Sequence, residues 1–394
     1  MLSREENHLI FIQVISTFAS AIAGIFLQIY IFRLSGFQGA VIFNLYLFIA
    51  LLFAYLFSGL LLRKHTTHLL IGSSFVVNIL GYLLIILLKA NAVNYLAVIG
   101  VIFGLAAGNF WSGFNLSQYI LTSQHSRNTY FGKSLSFTQI SSALGPIFGG
   151  VVVILVNYLT KNSYMGYYFL FLIVAFIYLF LVINTKKLPV YTGIQFSFKD
   201  FINHQRSKKW KIVLGQNFVL GLYDAAFNTI FAILLFLILR NESLIGGVKT
   251  GMLLFVALTS IIGAKLLAKR GWLYIAGTLG TALSIVIFAV FQNWLGIFLF
   301  ALFNGLVTPF FSIPLSLAIL NTIDENNLPW QKKYHMLLER DGILGFARII
   351  SYIFLLILFT VFSKENVAKN WMIATAIFPI IIGFLLYKQY RIKE

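Results

Sequence analysis

Apolar residues run along this chain in continuous blocks of about 20, punctuated by short polar or glycine-bearing breaks. Strands of a membrane barrel would instead alternate apolar and polar residues over roughly ten positions. Blocks of this length suit helices crossing a hydrocarbon core about 30 Å thick. The pattern predicts helices at about 9–33, 39–61, 67–89, 93–122, 132–157 and 164–184. A second set is predicted at about 212–239, 246–268, 272–291, 293–321, 342–362 and 370–388. The expected fold is therefore all-α and integral to the membrane, with twelve spans in two six-helix bundles. Residues 1–185 form the first bundle, 186–211 a linker and 212–394 the second. Several connections hold only a few residues, such as Gln292-Asn293, which forces neighbouring helices to be antiparallel and in contact.

The two sets read alike at an offset of 204 residues. Ser58-Gly59-Leu60-Leu61-Leu62-Arg63-Lys64 closes one apolar run, and Ile262-Gly263-Ala264-Lys265 through Arg270 closes another. The same offset pairs Gln13, Thr17, Ser20 and Gly24 with Asn217, Gly221, Asp224 and Asn228. Two equivalent halves in a membrane chain are the mark of a secondary transporter, because the halves can rock around a site between them.

Composition agrees with the pattern. The chain is 60% hydrophobic and 10% charged, against about 25% charged in a soluble domain. There is no cysteine, so disulfide, thiol and zinc-thiolate chemistry are excluded. The net charge of +18 is not a nucleic-acid signal, because of where the charge lies. With the N-terminus inside, 22 of the 29 Lys and Arg fall on the N-terminal side of the membrane. That bias predicts a multi-pass plasma-membrane protein with both termini cytoplasmic. The first apolar run is too long for a signal-peptide core, so Ala19-Ser20-Ala21 is not expected to be cleaved. The linker carries seven basic residues against Asp200. Phe196, Phe198, Phe201 and Ile202, with Lys199 and Arg206, suggest a short amphipathic helix on the inner leaflet. It reads either as a tether or lipid sensor, or as a solvated topology signal.

Charges inside spans are costly and point to a cavity or a partner. Asp224 lies about twelve residues into its helix, near 18 Å at about 1.5 Å per residue. Asn217, Gly221, Asp224 and Asn228 share its face. Burial there disfavours the charged form of a carboxylate, which can then load and release a proton as access alternates. It can serve proton or substrate coupling, or pin its helix to a neighbour. Arg348 lies some six residues into a later helix, behind Glu339 and Asp341, and shares a face with Asp341. It can bind an anionic substrate, form a salt bridge, or snorkel to the surface. Gln13, Thr17, Ser20, Gly24 and Gln28 form a polar face on the first helix. Trp111, Asn115, Gln118 and Thr122 do so on the fourth, and Asn304, Thr308 and Ser312 on the tenth, where Pro309 and Pro314 predict bends. Each of these is either cavity-lining or an interhelical hydrogen-bonding group. No histidine pair has metal spacing, and neither HExxH nor GxSxG occurs. Gly132-Lys133-Ser134 looks like the end of a phosphate loop, but Arg127 stands where that loop needs glycine. No catalytic constellation, cofactor site or metal site is expected, and the chain does not read as an enzyme.

Three features resemble the major facilitator superfamily over essentially the whole chain. The fifth predicted helix carries Gly132, Ser141, Gly145-Pro146 and Gly149-Gly150 at the spacing of the superfamily's antiporter-type motif, with Ser141 in place of one glycine. Small residues there permit close helix packing, and Pro146 removes a backbone donor. The loop after the second helix, Gly59 to His68, matches the superfamily's loop pattern with Arg63 in the Asp place and Thr66 in a Gly place. The fourth helix carries Gly100, Gly104 and Gly108, without the basic residue of proton-driven drug exporters. The resemblance implies a cavity between two pseudo-symmetric bundles, lined by helices one, four, seven and ten. It implies alternating-access export of a small amphipathic molecule in exchange for protons, by a monomer surrounded by membrane lipids. Nutrient uptake or facilitated diffusion, and lipid flipping, are the alternative readings.

Overall fold

The computed structural model describes residues 2–122, 124–190, 196–203, 205–325 and 330–392. No strand occurs among them. Thirteen α-helices and one 3-10 turn follow in order. They are α1 (Arg4–Leu61), α2 (Thr67–Leu88), a 3-10 turn (Lys89–Tyr95), α3 (Leu96–Leu121), α4 (Gln124–Thr160) and α5 (Met165–Thr185). Then come α6 (Phe198–Asn203), α7 (Lys208–Leu239), α8 (Glu242–Lys269), α9 (Leu273–Val290) and α10 (Trp294–Asp324). The chain closes with α11 (Trp330–Val361), α12 (Lys364–Thr375) and α13 (Ile377–Arg391). Ten stretches among the described residues are long and apolar enough to cross a membrane, two of them 58 and 55 residues long.

The contacts divide the chain into two compact units. One comprises Met1–Ser197 with Asn241–Thr250, the other Phe198–Arg240 with Gly251–Glu394. The sequence reading puts 241–250 in the second bundle, whereas the first turns of α8 pack within the first unit.

In the first unit, Ser3 caps α1. Its hydroxyl accepts from Glu6 N at 3.0 Å, and Glu6 Oε2 accepts from Ser3 N at 2.6 Å. This reciprocal pair satisfies two donors that a helix start leaves unmet. At about 1.5 Å per residue a 58-residue helix would run about 87 Å, nearly three times the bilayer core. Gly36 interrupts it, with φ 67° and ψ −167°. A side chain disfavours that conformation, so glycine takes it cheaply. The sequence predicts a loop at 34–38; helical backbone flanks that one residue instead. At the 3-10 turn, Lys89 has φ 51° and its carbonyl accepts from Tyr30 OH at 2.9 Å. The glycine strip of α3 lies on α1: Gly100 meets Phe43 O, Gly104 meets Leu47 O, and a Cβ at Gly108 would lie 2.5 Å from that of Ala54. Aromatic rings fill the space among α2, α3 and α5, where Tyr82 lies 4.8 Å from Phe103 and 5.4 Å from Phe171.

In the second unit, Tyr274, Phe311, Leu315, Ala318, Ile382 and Leu386 form a core shared by α9, α10 and α13. Pro309 and Pro314 both lie inside one α10. Two helices begin well before their apolar runs. α4 starts at Gln124 instead of 132, and α11 at Trp330 instead of 342. Hydropathy detects the part of a helix that meets lipid. Tertiary bonds hold the remainder, as with Ser126 Oγ donating to Glu6 Oε1 at 2.5 Å. The last predicted helix begins earlier too, at Lys364, and is interrupted at Ala376. The amphipathic linker segment is the short α6, with Ile202 63% exposed. Phe196 instead turns inward, and its ring lies 2.7 Å from where a Cβ of Gly59 would be.

Candidate functional site

Asp224 stands sixteen residues after the start of α7 and fifteen before its end. Arg348 of α11 faces it. Its Nε donates to Oδ1 at 3.1 Å and its NH2 to Oδ2 at 2.5 Å. A two-pronged guanidinium–carboxylate bond is the strongest and most directional ion pair proteins make. The side chains are 19% and 24% exposed, so the pair is largely withdrawn from solvent. Of the readings open for Arg348, the structure shows the salt bridge, and each charge neutralises the other. The Asp341 carboxylate accepts from Arg340 at 2.7 Å.

Local sequence brings the two helices together at this point. Gly221, one turn before Asp224, lies against Leu344 O, and a Cβ there would be 2.8 Å from that of Ala347. On the far side, Thr229 Oγ1 and Tyr352 OH share a hydrogen bond of 2.8 Å, and Ser351 Oγ donates to Leu222 O at 3.0 Å. The ion pair is thus clamped along α7 and α11 by a glycine contact and two hydroxyl bonds. Asn228 is exposed, and its amide donates to Asp224 O at 2.7 Å. Asn217 is buried and its amide donates to Val213 O at 2.8 Å. Asn304 on α10 is half-buried, and its carbonyl accepts from Thr308 Oγ1 at 2.6 Å.

In the first unit, the repeat partner of Asp224 is Ser20. Its Oγ shares a 3.0 Å hydrogen bond with Tyr178 OH. Thr17, which pairs with Gly221, is half-buried one turn earlier. Gln13 Oε1 accepts from Ser134 Oγ on α4. Gln28 and Asn44 exchange amide bonds of 3.1 and 2.8 Å across the Gly36 turn. Asn115 donates to Tyr55 OH at 3.1 Å, and the Gln118 carbonyl accepts from Thr122 Oγ1 at 2.7 Å. Trp111 is 46% exposed, edge-on to Phe110.

The small-residue motif of α4 touches two helices. A Cβ at Gly145 would meet Ala21 Cβ at 2.5 Å, and one at Gly149 would meet the Phe26 ring at 2.5 Å, both on α1. Gly150 faces Glu242 O of α8, and Pro146 O faces Gly246. Ser141 is buried. Gly132 lies on the helical backbone of α4, with its surroundings outside the described residues.

Sequence reasoning misses one charged cluster beside this motif. Glu242 Oε1 accepts from Arg33 NH1 at 3.0 Å and from Tyr167 OH at 2.9 Å. The Arg33 guanidinium also lies 5.2 Å from the Tyr164 ring centre. The available signal was that Glu242 is the one acid between Asp224 and Asp324, with Arg33 at the end of an apolar run. A second missed cluster anchors the start of α7, where Glu339 accepts from Arg206 Nε and from Trp210 Nε1, the latter at 2.8 Å. No metal-holding group of His, Cys, Asp and Glu occurs among the described residues.

The family model described as Major Facilitator Superfamily matches residues 9–329. The uncharacterized protein YqgE of Bacillus subtilis (strain 168) is 22% identical over 95% of this chain and 87% of its own length. The nucleoside transporter NupG is similar in fold, with TM-score 0.66 and 15% identity over 99% of this chain and all of its own. The E. coli fucose:proton symporter FucP has TM-score 0.67 and 14% identity over 98% of each chain.

Proposed function

The chain belongs to the major facilitator superfamily, and on that premise we propose that it moves a small amphipathic molecule out of the cell in exchange for protons. Members of this superfamily are membrane transporters, not enzymes. The finer reading is carried by one observation, the Asp224–Arg348 ion pair midway along α7. A proton arriving on Asp224 removes its charge and leaves Arg348 without its counter-ion. Breaking a buried pair from one side costs about 3–5 kcal/mol, enough to bias a two-state equilibrium between helix arrangements. Loss of the proton restores the fork. Proton loading is thereby tied to the packing of α7 on α11, which is what coupling requires. No ATP-binding motif appears in the sequence, so the energy source is an ion gradient.

The polar groups available to a substrate are amides, hydroxyls and rings, such as Ser20, Asn115, Trp111, Asn228 and Asn304. They suit a neutral or weakly charged amphipathic molecule. Twelve crossings are supported by the breaks at Gly36 and Lys89, each of which divides a double-length stretch in two. An even count puts both termini on one side, and the basic bias makes that side cytoplasmic. The protein then acts as a monomer in the plasma membrane. Transport by the purified protein in sealed vesicles tests the reading. An imposed proton gradient should drive a substrate against its own gradient, in the opposite direction to the protons. Movement in the same direction would make it an uptake symporter, and movement independent of the gradient would make it a facilitator or flippase.

A further inference from the structure

The linker between α5 and α7 carries seven Lys and Arg against Asp200. Two of the seven have acidic partners: Arg206 Nε donates to Glu339, and Lys209 Nζ pairs with Glu325 at 3.2 Å. The other five, Lys186, Lys187, Lys199, Lys208 and Lys211, are exposed. Lys186 and Lys187 follow the end of α5, and Lys208 and Lys211 lie at the start of α7. Both helices are long and apolar enough to cross a membrane, and lysines at such ends mark its surface. Lys199 stands between these pairs, within α6.

Short as it is, α6 has two sides. Phe198 and Ile202 are four residues apart and Phe201 is three after Phe198, so the three share a face. Ile202 is 63% exposed and Phe198 37%, so much of that face is left uncovered by the protein. Lys199 and Asn203, also four apart and both exposed, flank it on the polar side. The stem of a lysine in that place can follow the apolar face while its ammonium stays among polar groups.

Both flanks of α6 are held. Before it, Phe196 is buried, with its ring 2.7 Å from where a Cβ of Gly59 would be. After it, Arg206 and Trp210 both donate to Glu339. Asn203 is five residues from Lys208, a reach of at most about 18 Å. The chain therefore keeps α6 close to the bilayer surface, where even a weak contact forms at high effective concentration. Anchors on both flanks also lower the ordering cost of docking.

We propose that α6 is a docking site for anionic phospholipid at the membrane surface. The Phe198–Ile202 face enters the headgroup layer, and Lys199 meets the phosphates together with the lysines at the ends of α5 and α7. Amphipathic segments bind in this way, with the apolar face down and the lysines towards anionic lipid. The occupant is a bilayer surface, because continuity with two spans brings that surface to the helix, and five exposed lysines select an anionic one.

The chain has no cysteine, so Ile202→Cys or Asn203→Cys takes a single environment-sensitive NBD label. Each labelled protein is placed in nanodiscs of phosphatidylcholine, with and without phosphatidylglycerol. The two leaflets of a nanodisc are alike, so the result depends neither on topology nor on the direction of transport. With phosphatidylglycerol, the label at position 202 should be shielded from acrylamide and quenched by lipids carrying a nitroxide on the upper acyl chain. The label at position 203 should stay open to acrylamide. Shielding at position 202 should fall in phosphatidylcholine alone. Adding Lys199→Gln should lower the docked-to-undocked ratio in phosphatidylglycerol about fivefold, the contribution of one lysine near an anionic surface. If position 202 is as open to acrylamide as position 203, the proposal is overturned and the linker is a solvated topology signal. Shielding without nitroxide quenching would put the face against protein, and shielding indifferent to phosphatidylglycerol and to Lys199→Gln would remove the anionic lipid. Either result overturns the proposal as well.

Discussion

A carboxylate at the midpoint of α7 is tolerable in a membrane only because a guanidinium two-pronged and close at hand cancels its charge. Single removal and double removal of the pair should therefore differ in sign of logic. Arg348→Met strands a carboxylate, and should cost about 3–5 kcal/mol and lower the melting temperature in detergent. Asp224→Leu combined with Arg348→Met removes both charges and should melt near wild type, while transport stays abolished. If the double variant melts as low as the single one, packing rather than charge holds this place. Gly221 belongs to the same argument. Gly221→Val drives a side chain against Leu344 O and Ala347, and overpacking of this kind costs about 1–3 kcal/mol. Its expected signature is weaker coupling as well as a lower melting temperature. The sequence shows Asp224 and Arg348 as two expensive charges. Their partnership is not legible there, because it depends on which face α11 turns towards α7, and the hydropathy of either helix leaves that open.

At the scale of elements, continuous apolar runs mark the stretches long enough to cross a membrane, and glycines four apart mark a close-packing face of α3, whose partner α1 is identified by the structure. Three features escaped that pattern for physical reasons. The extensions of α4 and α11 lie outside the apolar runs, and bonds from Ser126 to Glu6 and from Arg206 and Trp210 to Glu339 hold them. The Gly36 break needs one residue where a loop was expected, because glycine alone supplies the required φ. The first turns of α8 pack within the first unit because Gly150, Gly246 and Pro146 let two backbones touch, and Arg33 and Tyr167 then bind Glu242. That last contact is testable. Glu242→Ala should cost about 1.5–3 kcal/mol, as expected for hydrogen bonds to a charged group. Glu242→Gln, which still offers Oε1 to Tyr167, should cost less. Equal losses for the two substitutions would place the stabilisation in shape instead of charge.

For the whole molecule, the skewed distribution of Lys and Arg and the superfamily's two-half plan make one topology the expectation. A fluorescent protein fused after Glu394 should fold and glow in the cytoplasm; a dark fusion of normally abundant protein would reverse the assignment. The link between proton and substrate is tested in sealed vesicles containing the purified protein, with internal pH followed by a trapped dye. Sugars, cationic drugs and lysolipids are added in turn, to wild type and to Asp224→Asn. Coupling through the α7–α11 pair requires a substrate-evoked proton flux in wild type and its loss in the variant, with substrate binding retained. A variant that moves protons as wild type does, or a wild type that moves substrate with no proton flux, would contradict it and leave Asp224 and Arg348 as a strut between two helices.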